Sequence, residues 1–268
     1  MRYLFGFVCV CALGAVPLVG CGDTAGGGGS GGAAGSGGTG GAGGAAGMGG
    51  GGTGGDGGAA GAKVALSVSV TEAEGVSPTV RGPAFEGVEL CETDTTNCAT
   101  TDADGRAEIM VSANQEISYT LKKDGYAPFL VGDVADETLL RSLWPMFSDA
   151  MLADAAEAVE IPYPLTGGIL GLQVLPSMAG VTFDLLDETG IQYYADEAGI
   201  DTLGLTATTT IGSGGFYEVS SGEPQVEFGG TATNCTPSIA WPGDAANRIK
   251  VPVRVGYVSY GSMVCDAP

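Results

Sequence analysis

The sequence has no histidine and few basic residues, and these two absences exclude several classes of function. Its 268 residues contain 10 Lys and Arg against 31 Asp and Glu, so the formal net charge at pH 7 is −21. Phosphate backbones are bound by clustered Lys and Arg, so the charge argues against a nucleic-acid partner. Without histidine, Ser-His-Asp and Cys-His catalysis and zinc sites that use imidazole are also excluded.

The motifs of nucleophilic catalysis are missing or incomplete as well. The stretch Gly212-Ser213-Gly214-Gly215 lacks the spacing of a nucleophile elbow, and no lysine follows a serine by three positions. Carboxylate pairs of the glycosidase type stay open because acids are plentiful, yet no pair is distinguished by its surroundings. Acids at alternating strand positions are typical of a solvated face. We therefore expect no enzyme, no cofactor and no metal.

The N-terminus has the features of a secretory signal peptide. Residues 1–20 begin with a basic residue and continue as a nearly unbroken apolar run. The end of this run, Leu18-Val19-Gly20-Cys21, resembles the lipobox of bacterial lipoproteins, whose signal peptide is cleaved before an acylated cysteine. The resemblance implies that Cys21 is lipidated and anchors the chain in the cell envelope, where we expect the outer membrane, at its periplasmic or surface-exposed face. An uncleaved membrane-spanning helix is the alternative, because the run is of borderline length.

Residues 21–62 follow as a tether. Glycine occupies 24 of the 41 positions from residue 22 to 62, and almost all the others are small. A segment without side chains to bury cannot offset its ordering entropy, so we expect it to be disordered. Its root-mean-square span would be roughly 35 Å.

Alternation of apolar and polar residues predicts β-strands in both halves of the remaining chain. The predicted strands lie at 64–71, 88–90, 107–111, 117–121, 169–175, 181–185, 216–219, 226–228 and 249–255. Pro252 indicates that the last of these lies at an edge or is bulged. A short helix is predicted over residues 148–159, with Ser148 as its N-cap. We therefore expect an all-β fold of two small antiparallel β-sandwich domains, 63–132 and 167–268, joined by a helical connector at 133–166.

Three segments of the first half are similar to the carboxypeptidase regulatory-like, or transthyretin-like, domain family. They are Gly87-Val88-Glu89-Leu90, Thr101-Asp102-Ala103-Asp104-Gly105-Arg106-Ala107 and Asp124-Gly125-Tyr126, with Ala107 in place of the family's aromatic residue. The resemblance covers residues 63–132 and implies a seven-stranded sandwich without catalytic residues, used as an accessory or adhesive module. Its fold class overlaps with that of starch-binding-like domains.

The second half is loosely similar to the first. Residues 86–90 align with 178–183, and Thr101 to Val111 aligns with Thr210 to Val219, each around a glycine-containing turn. The best-matching part of the second half is Gly214-Gly215-Phe216-Tyr217. The alignment predicts that both domains share one sandwich topology.

Four cysteines remain beyond the signal peptide and Cys21, namely Cys91, Cys98, Cys235 and Cys265. An even number in an oxidising compartment indicates disulfides, and metal binding is disfavoured because there is neither Cys-x-x-Cys nor histidine. Four cysteines allow three pairings. Since each half holds two, we expect Cys91–Cys98 and Cys235–Cys265.

Acidic residues around Gly105 offer one candidate metal site. Asp94, Asp102 and Asp104 suggest calcium, but Val111 stands where an EF-hand loop needs a carboxylate. A tight turn explains the same residues more simply.

Aromatic residues offer a candidate ligand site. Trp144, Tyr193 and Tyr194 are aromatics that could stack on a sugar ring, although such residues more often pack in the interior. Trp241 is the best candidate, because the Cys235–Cys265 loop would brace it.

These observations lead to three hypotheses of function. The first is a non-enzymatic, lipid-anchored protein that displays its domains to an envelope glycan or protein. The second is a carbohydrate-binding lipoprotein, which requires an exposed Trp241. The third is an adhesin with a Lys–Asn isopeptide crosslink at Lys63, although no partner asparagine is marked out.

Overall fold

The computed structural model describes residues 61–73, 82–136 and 139–267, without the side chains of residues 140, 142 and 143. The predicted signal peptide, Cys21 and nearly all of the glycine-rich tether lie outside the described residues. No helix in the described ranges is long and apolar enough to span a membrane.

The described chain is built from strands and one short helix, so the predicted all-β class is confirmed. The first half contains β1 (Lys63–Glu72), β2 (Glu89–Glu92), β3 (Cys98–Thr100), β4 (Arg106–Ser112), β5 (Glu116–Lys122), β6 (Phe129–Val134), β7 (Leu139–Met146) and α1 (Asp149–Ala158). The second half contains β8 (Gly168–Leu175), β9 (Val181–Leu186), β10 (Ile191–Ala195), β11 (Asp201–Thr202), β12 (Ser213–Val219), β13 (Gln225–Gly230), β14 (Thr233–Ile239), β15 (Trp241–Pro242), β16 (Arg248–Lys250) and β17 (Val258–Asp266).

The strands form two modules with one topology. In module 1 a sheet of order β4-β1-β7 faces β6-β5-β2-β3, and in module 2 the strands β12-β8-β17 face the sheet β15-β16-β13-β9. In both modules the first strand pairs antiparallel with one neighbour and parallel with the last strand of the module. Module 2 adds β10, β11 and β14 to this plan.

A buried threonine fixes the same hydrogen bonds in each module, an arrangement we name the threonine clasp. The Thr101 hydroxyl donates to the Phe85 carbonyl at 2.6 Å and accepts from the Val88 amide at 2.9 Å. The Thr208 hydroxyl donates to the Met178 carbonyl at 2.8 Å and accepts from the Val181 amide at 3.0 Å. The internal similarity predicted from sequence is therefore real.

One part of the predicted alignment between the two halves was wrong by two residues, as the threonine clasps show. The sequence alignment placed Thr101 opposite Thr210, whereas the hydrogen bonds place it opposite Thr208. The turns that follow agree with this register, because Gly105 and Gly212 have φ angles of 72° and 73°. Their carbonyls accept from the amides of Val70 and Val174 at 2.8 and 2.9 Å.

The modules are joined by a direct strand pairing rather than by a connector alone. Strand β17 lies parallel between β8 and β6, which makes one ten-stranded sheet from strands of both modules. This differs from two separate antiparallel sandwiches. Both strands are central in this sheet, and β6 and the first six residues of β17 are accordingly almost all buried, as parallel central strands are.

The segment expected to be a connector is largely part of module 1. The boundary expected at residue 132 falls inside β6, and β7 pairs with β1 as the third strand of its sheet. Helix α1 is present where predicted, with the Ser148 hydroxyl accepting from the Met151 amide at 3.2 Å. It buries Leu152, Ala155 and Ala156 in the core of module 1. The strand predicted over 249–255 is shorter than expected: β16 ends at Lys250, two residues before Pro252, and it lies between β15 and β13 rather than at an edge.

Candidate binding groove at the module junction

Both predicted disulfides are confirmed. Cys91–Cys98 joins β2 to β3 in module 1, and Cys235–Cys265 joins β14 to β17 in module 2. The second one fastens the strand that pairs the two modules. The cysteines are therefore structural, and they lie away from any open groove that we describe below.

Trp241 does not occupy the exposed position that the carbohydrate hypothesis requires. Its side chain is only 7% exposed, and its indole N–H donates to the Ile117 carbonyl of module 1 at 2.8 Å. It also packs against β6, where a Cβ built on Gly132 would lie 3.1 Å from the indole ring. Trp241 therefore packs between the modules and presents no face to a sugar.

The other sequence candidates are also structural. Trp144, Tyr193 and Tyr194 are at most 2% exposed, so none of them is available for stacking on a ligand. Lys63 lies at the exposed start of β1, and its ammonium donates to the Ser112 hydroxyl at 3.4 Å rather than to an asparagine.

The acidic turn considered for calcium is a tight turn. One oxygen of Asp102 accepts from the amides of Asp104 and Arg106, both at 2.9 Å. Asp94 faces Arg254 of module 2 at 3.3 Å. Among the described residues, no group of three or more acidic or cysteine side chains is arranged to hold a metal ion.

An open groove lined by charged, aromatic and glycine residues lies at one end of the β6–β17 junction, and we name it the junction groove. Module 1 contributes the turn between β5 and β6, the start of β2 and Pro128, while module 2 contributes Tyr257 just before β17. The lining residues are Gly87, Glu89, Lys122, Lys123, Asp124, Gly125, Tyr126, Pro128 and Tyr257. Because β6 and β17 are hydrogen bonded side by side, loops of both modules meet at this point.

Two lysines and two tyrosines supply the cationic and aromatic side chains of the groove. The Lys122 ammonium lies 5.7 Å from the centre of the Tyr257 ring, and the Lys123 ammonium lies 4.0 Å from the centre of the Phe85 ring. Lys123 also donates to the Glu86 carbonyl. Neither lysine forms an ion pair with a described carboxylate, whereas Arg141, Arg248, Lys250 and Arg254 all do. Lys122 is therefore exposed beside the Tyr257 ring, whereas Lys123 is held by the Glu86 carbonyl and the Phe85 ring.

Tyr126 is held in place at the groove by the end of strand β1 and by the loop that contains Phe85. Its hydroxyl donates to a carboxylate oxygen of Glu72, and its ring meets that of Phe85 edge to face at 4.7 Å between centroids. The hydrogen bond to Glu72, with a smaller contribution from burial, raises the pKa of Tyr126 above its ordinary value. Tyr126 is therefore a neutral donor that positions one wall of the groove.

Sequence reasoning found only part of this groove. It identified Asp124-Gly125-Tyr126 as a family segment but not as part of a site. The signal that could have helped is the adjacent pair Lys122-Lys123, which stands out in a chain with 10 basic residues. No sequence pattern pointed to Tyr257, because its place in the groove depends on a strand pairing between residues far apart in the chain.

No protein-family model matches the chain, and no curated protein matches it. Solved structures give distant likenesses, the first being a type II cohesin–X-dockerin complex from Acetivibrio cellulolyticus, a C-terminal interface mutant. It is 20% identical over 32% of this chain and 58% of its own, with a TM-score of 0.27.

Two further likenesses cover more of the chain. The Bacillus anthracis TIE protein is 10% identical over 77% of this chain and 34% of its own, with a TM-score of 0.25. The minor pilin GBS52 of Streptococcus agalactiae is 14% identical over 76% and 96%, with a TM-score of 0.24. This chain spans 58% of the first of these structures, and all three TM-scores are too low to identify a shared function.

Proposed function

We propose that the protein is a non-enzymatic, lipid-anchored binding protein of the bacterial cell envelope. Cys21 would carry the acyl anchor, and residues 22–62 would hold the two modules away from the membrane surface. The junction groove would bind the ligand. The observation that carries this proposal is the β6–β17 pairing, which brings loops of both modules together around Lys122, Lys123 and the half-buried rings of Tyr126 and Tyr257.

The ligand class that the groove favours is a saccharide. Tyrosine rings can cover the apolar face of a sugar, and the hydroxyl, ammonium and carboxylate groups around them can bind its hydroxyls. This proposal replaces Trp241 with Tyr257 and Tyr126 as the aromatic contacts. A protein partner from the envelope is the second candidate, because loops of both modules line this open groove and could contact one partner surface.

The ligand proposal is tested by screening envelope polysaccharides and glycans against the purified protein with its disulfides formed. We expect saturable binding that falls at least tenfold in Tyr257→Ala and in Lys122→Ala. Lys63→Ala is the matched control, because it removes an exposed lysine remote from the groove. Binding that is unchanged in both groove variants would contradict the saccharide site, and binding of envelope proteins alone would favour the second candidate.

The anchor is tested separately by metabolic labelling with a radioactive fatty acid and by fractionation of cells. We expect label on the wild-type chain and none on Cys21→Ser, which should leave the membrane fraction. A Cys21→Ser chain that stays in the membrane fraction would contradict lipid anchoring at this cysteine. It would favour the uncleaved helix considered above.

A further inference from the structure

A second, smaller cavity adjoins the junction groove, and we name it the side pocket. Pro128 and Tyr257 line both the groove and the pocket, and the other walls of the pocket include α1 and residues 163–165. The Asp149 amide at the start of α1 donates to the carbonyl of Gly125, a groove residue, at 3.1 Å. A molecule bound in the groove is therefore close enough to place one substituent in the pocket.

The backbone between the two cavities is fixed by the strand pairing of the junction. The Tyr257 carbonyl accepts from the Ile169 amide at 3.0 Å, and the Pro128 carbonyl accepts from the Val258 amide at 2.9 Å. These bonds lie where β17 pairs with β8 and β6. The groove and the pocket are thus held at a constant separation, so that a ligand with the right spacing needs no rearrangement of the protein.

The side pocket has the size of a substituent and not of a sugar ring. Its volume is about 80 Å³, against about 710 Å³ for the junction groove. Since a cavity needs roughly 10–15 Å³ to hold one water, the side pocket accepts a group of only a few non-hydrogen atoms. A sugar ring would therefore lie in the groove, with only a side group in the pocket.

Most walls of the side pocket are apolar. Leu152 and Ile169 are buried, Leu165 is half-buried, and the lining contains no Lys or Arg. Placing a charged group against apolar walls without a counter-ion is unfavourable. The walls therefore favour an uncharged substituent with a methyl group over a carboxylate, a sulfate or a phosphate.

Two polar side chains line the pocket as well, and they supply one acceptor and one donor. Asp149 is an exposed carboxylate, and Tyr163 is 40% exposed and carries a hydroxyl. Burial, with a smaller contribution from the charge of Asp149, raises the pKa of Tyr163 above its ordinary value, so its hydroxyl is protonated at pH 7. An acetamido group carries the complementary pair, an N–H and a carbonyl, beside a methyl group. A deoxy sugar offers the methyl group alone, and an acetyl ester lacks the N–H.

We propose that the side pocket binds the acetamido group of an N-acetylated amino sugar whose ring lies in the junction groove. This inference rests on the proposed saccharide binding of the groove and names the class of sugar. The acetyl methyl group would lie against Leu152 and Leu165. The N–H would donate to Asp149, the carbonyl would accept from Tyr163, and the sugar ring would contact Tyr257.

The test compares two oligosaccharides that differ in this substituent, the tetramer of N-acetylglucosamine and the tetramer of glucose with the same linkage. Each is titrated calorimetrically into the full protein, with its disulfides formed and in a nonionic detergent. We expect the N-acetylglucosamine tetramer to bind at least about tenfold more tightly, because one methyl group in an apolar pocket changes affinity by that order.

Two variants change the walls of the side pocket. Leu165→Trp should fill the pocket, and Asp149→Ala should remove its acceptor. In each we expect the affinity for the N-acetylglucosamine tetramer to fall towards that for the glucose tetramer, whose own affinity should not change. Asp154→Ala is the matched control, because it removes an exposed acid of α1 that does not line the pocket. Circular dichroism should show the same fold in all three variants.

The outcomes separate this inference from the proposed function. Equal affinities of the wild type for the two tetramers, or an unchanged preference in both pocket variants, would overturn the side pocket as an acetamido site and leave saccharide binding in the groove intact. Binding of neither tetramer, while another glycan is bound, would overturn this inference alone. If no glycan of the wider screen binds, the proposed saccharide site fails and this inference fails with it.

Discussion

Module 1 and module 2 have the same clasp but differ in the turn that follows it. In module 1, Asp102 caps the turn by accepting from two amides. In module 2, Thr209 stands at the equivalent position, and its hydroxyl accepts from the Ile211 amide at 3.4 Å. The glycine with positive φ and the buried threonine are the same in both. The comparison teaches that a few buried hydrogen bonds define the fold of each module, whereas the cap of an exposed turn can be exchanged.

The modules also differ in what surrounds their buried acids. Asp133 of module 1 is bound by the Arg141 guanidinium at 2.6 and 2.7 Å. Asp201 of module 2 has only the neutral Tyr217 hydroxyl. The buried acid of module 1 is therefore paired with a cation, whereas the buried acid of module 2 is held by a neutral hydroxyl.

The largest expected effect comes from removing the Trp241 side chain, which packs between the two modules. Trp241→Ala should lower the free energy of unfolding by about 3–5 kcal/mol, because it empties a buried site and frees the Ile117 carbonyl. Urea denaturation monitored by circular dichroism measures the change. Trp241→Phe should recover much of the loss, since it refills most of the volume. An Ala variant as stable as the wild type would contradict the packing between modules.

The two disulfides should contribute unequally to the free energy of unfolding. Replacing Cys235 and Cys265 by serine should cost about 3.7 kcal/mol, against about 2.4 kcal/mol for Cys91 and Cys98, by the chain-entropy model. The reason is the longer loop, because the separations are 30 and 7 residues. Thermal unfolding of the two double variants is the measurement. Equal losses would show that loop length does not govern the difference.

Removing the threonine clasp of either module should lower the free energy of unfolding by the same amount. Thr101→Val and Thr208→Val each leave a buried amide and a carbonyl without a partner, which should cost about 1–3 kcal/mol. We expect the two values to agree within a few tenths of a kcal/mol in urea denaturation. Thr95→Val, at an exposed turn, is the control and should change stability little. A large effect at only one clasp would break the equivalence of the modules.

The smallest predicted effect concerns pH. Burial raises the pKa of Asp201 in the folded state well above its ordinary value, with Tyr193, Tyr217 and Asp196 as its titratable neighbours. The folded chain therefore retains a proton that the unfolded chain loses above pH about 4. Stability consequently falls as pH rises from about 4 towards the raised pKa of the folded state. Asp201→Asn should raise the melting temperature at pH 7 and leave it unchanged near pH 3.

The comparison variant for this measurement is Asp133→Asn in module 1. Burial raises the pKa of Asp133 too, but Arg141 opposes the rise. Asp133→Asn removes the charge that pairs with the Arg141 guanidinium, so it should destabilise the protein at pH 7. If both variants stabilise the protein at pH 7, the buried acids of the two modules are equivalent after all.

The sequence predicted the features that depend on neighbouring residues. The alternation of apolar and polar residues predicted most strands, and the N-cap residue Ser148 predicted the start of α1. The number and placement of the cysteines predicted both disulfides. It could not predict the environment of Trp241, because the carbonyl that binds its N–H lies 124 residues away. The burial of Asp201 could not be predicted either, because no local pattern distinguishes it from a solvated aspartate. Similarly, the junction groove depends on a strand pairing that no local pattern encodes.

The placement of β1 has a mechanical consequence. It lies between β4 and β7, with Lys63 opposite Ser112 and Glu72 opposite Met146, so hydrogen bonds run along both sides of the strand. A pull at Lys63 along the strand axis would load these bonds together, in shear, rather than breaking them one after another. A tether attached at this end would therefore transmit force to module 1 in the direction in which its first strand resists extraction best.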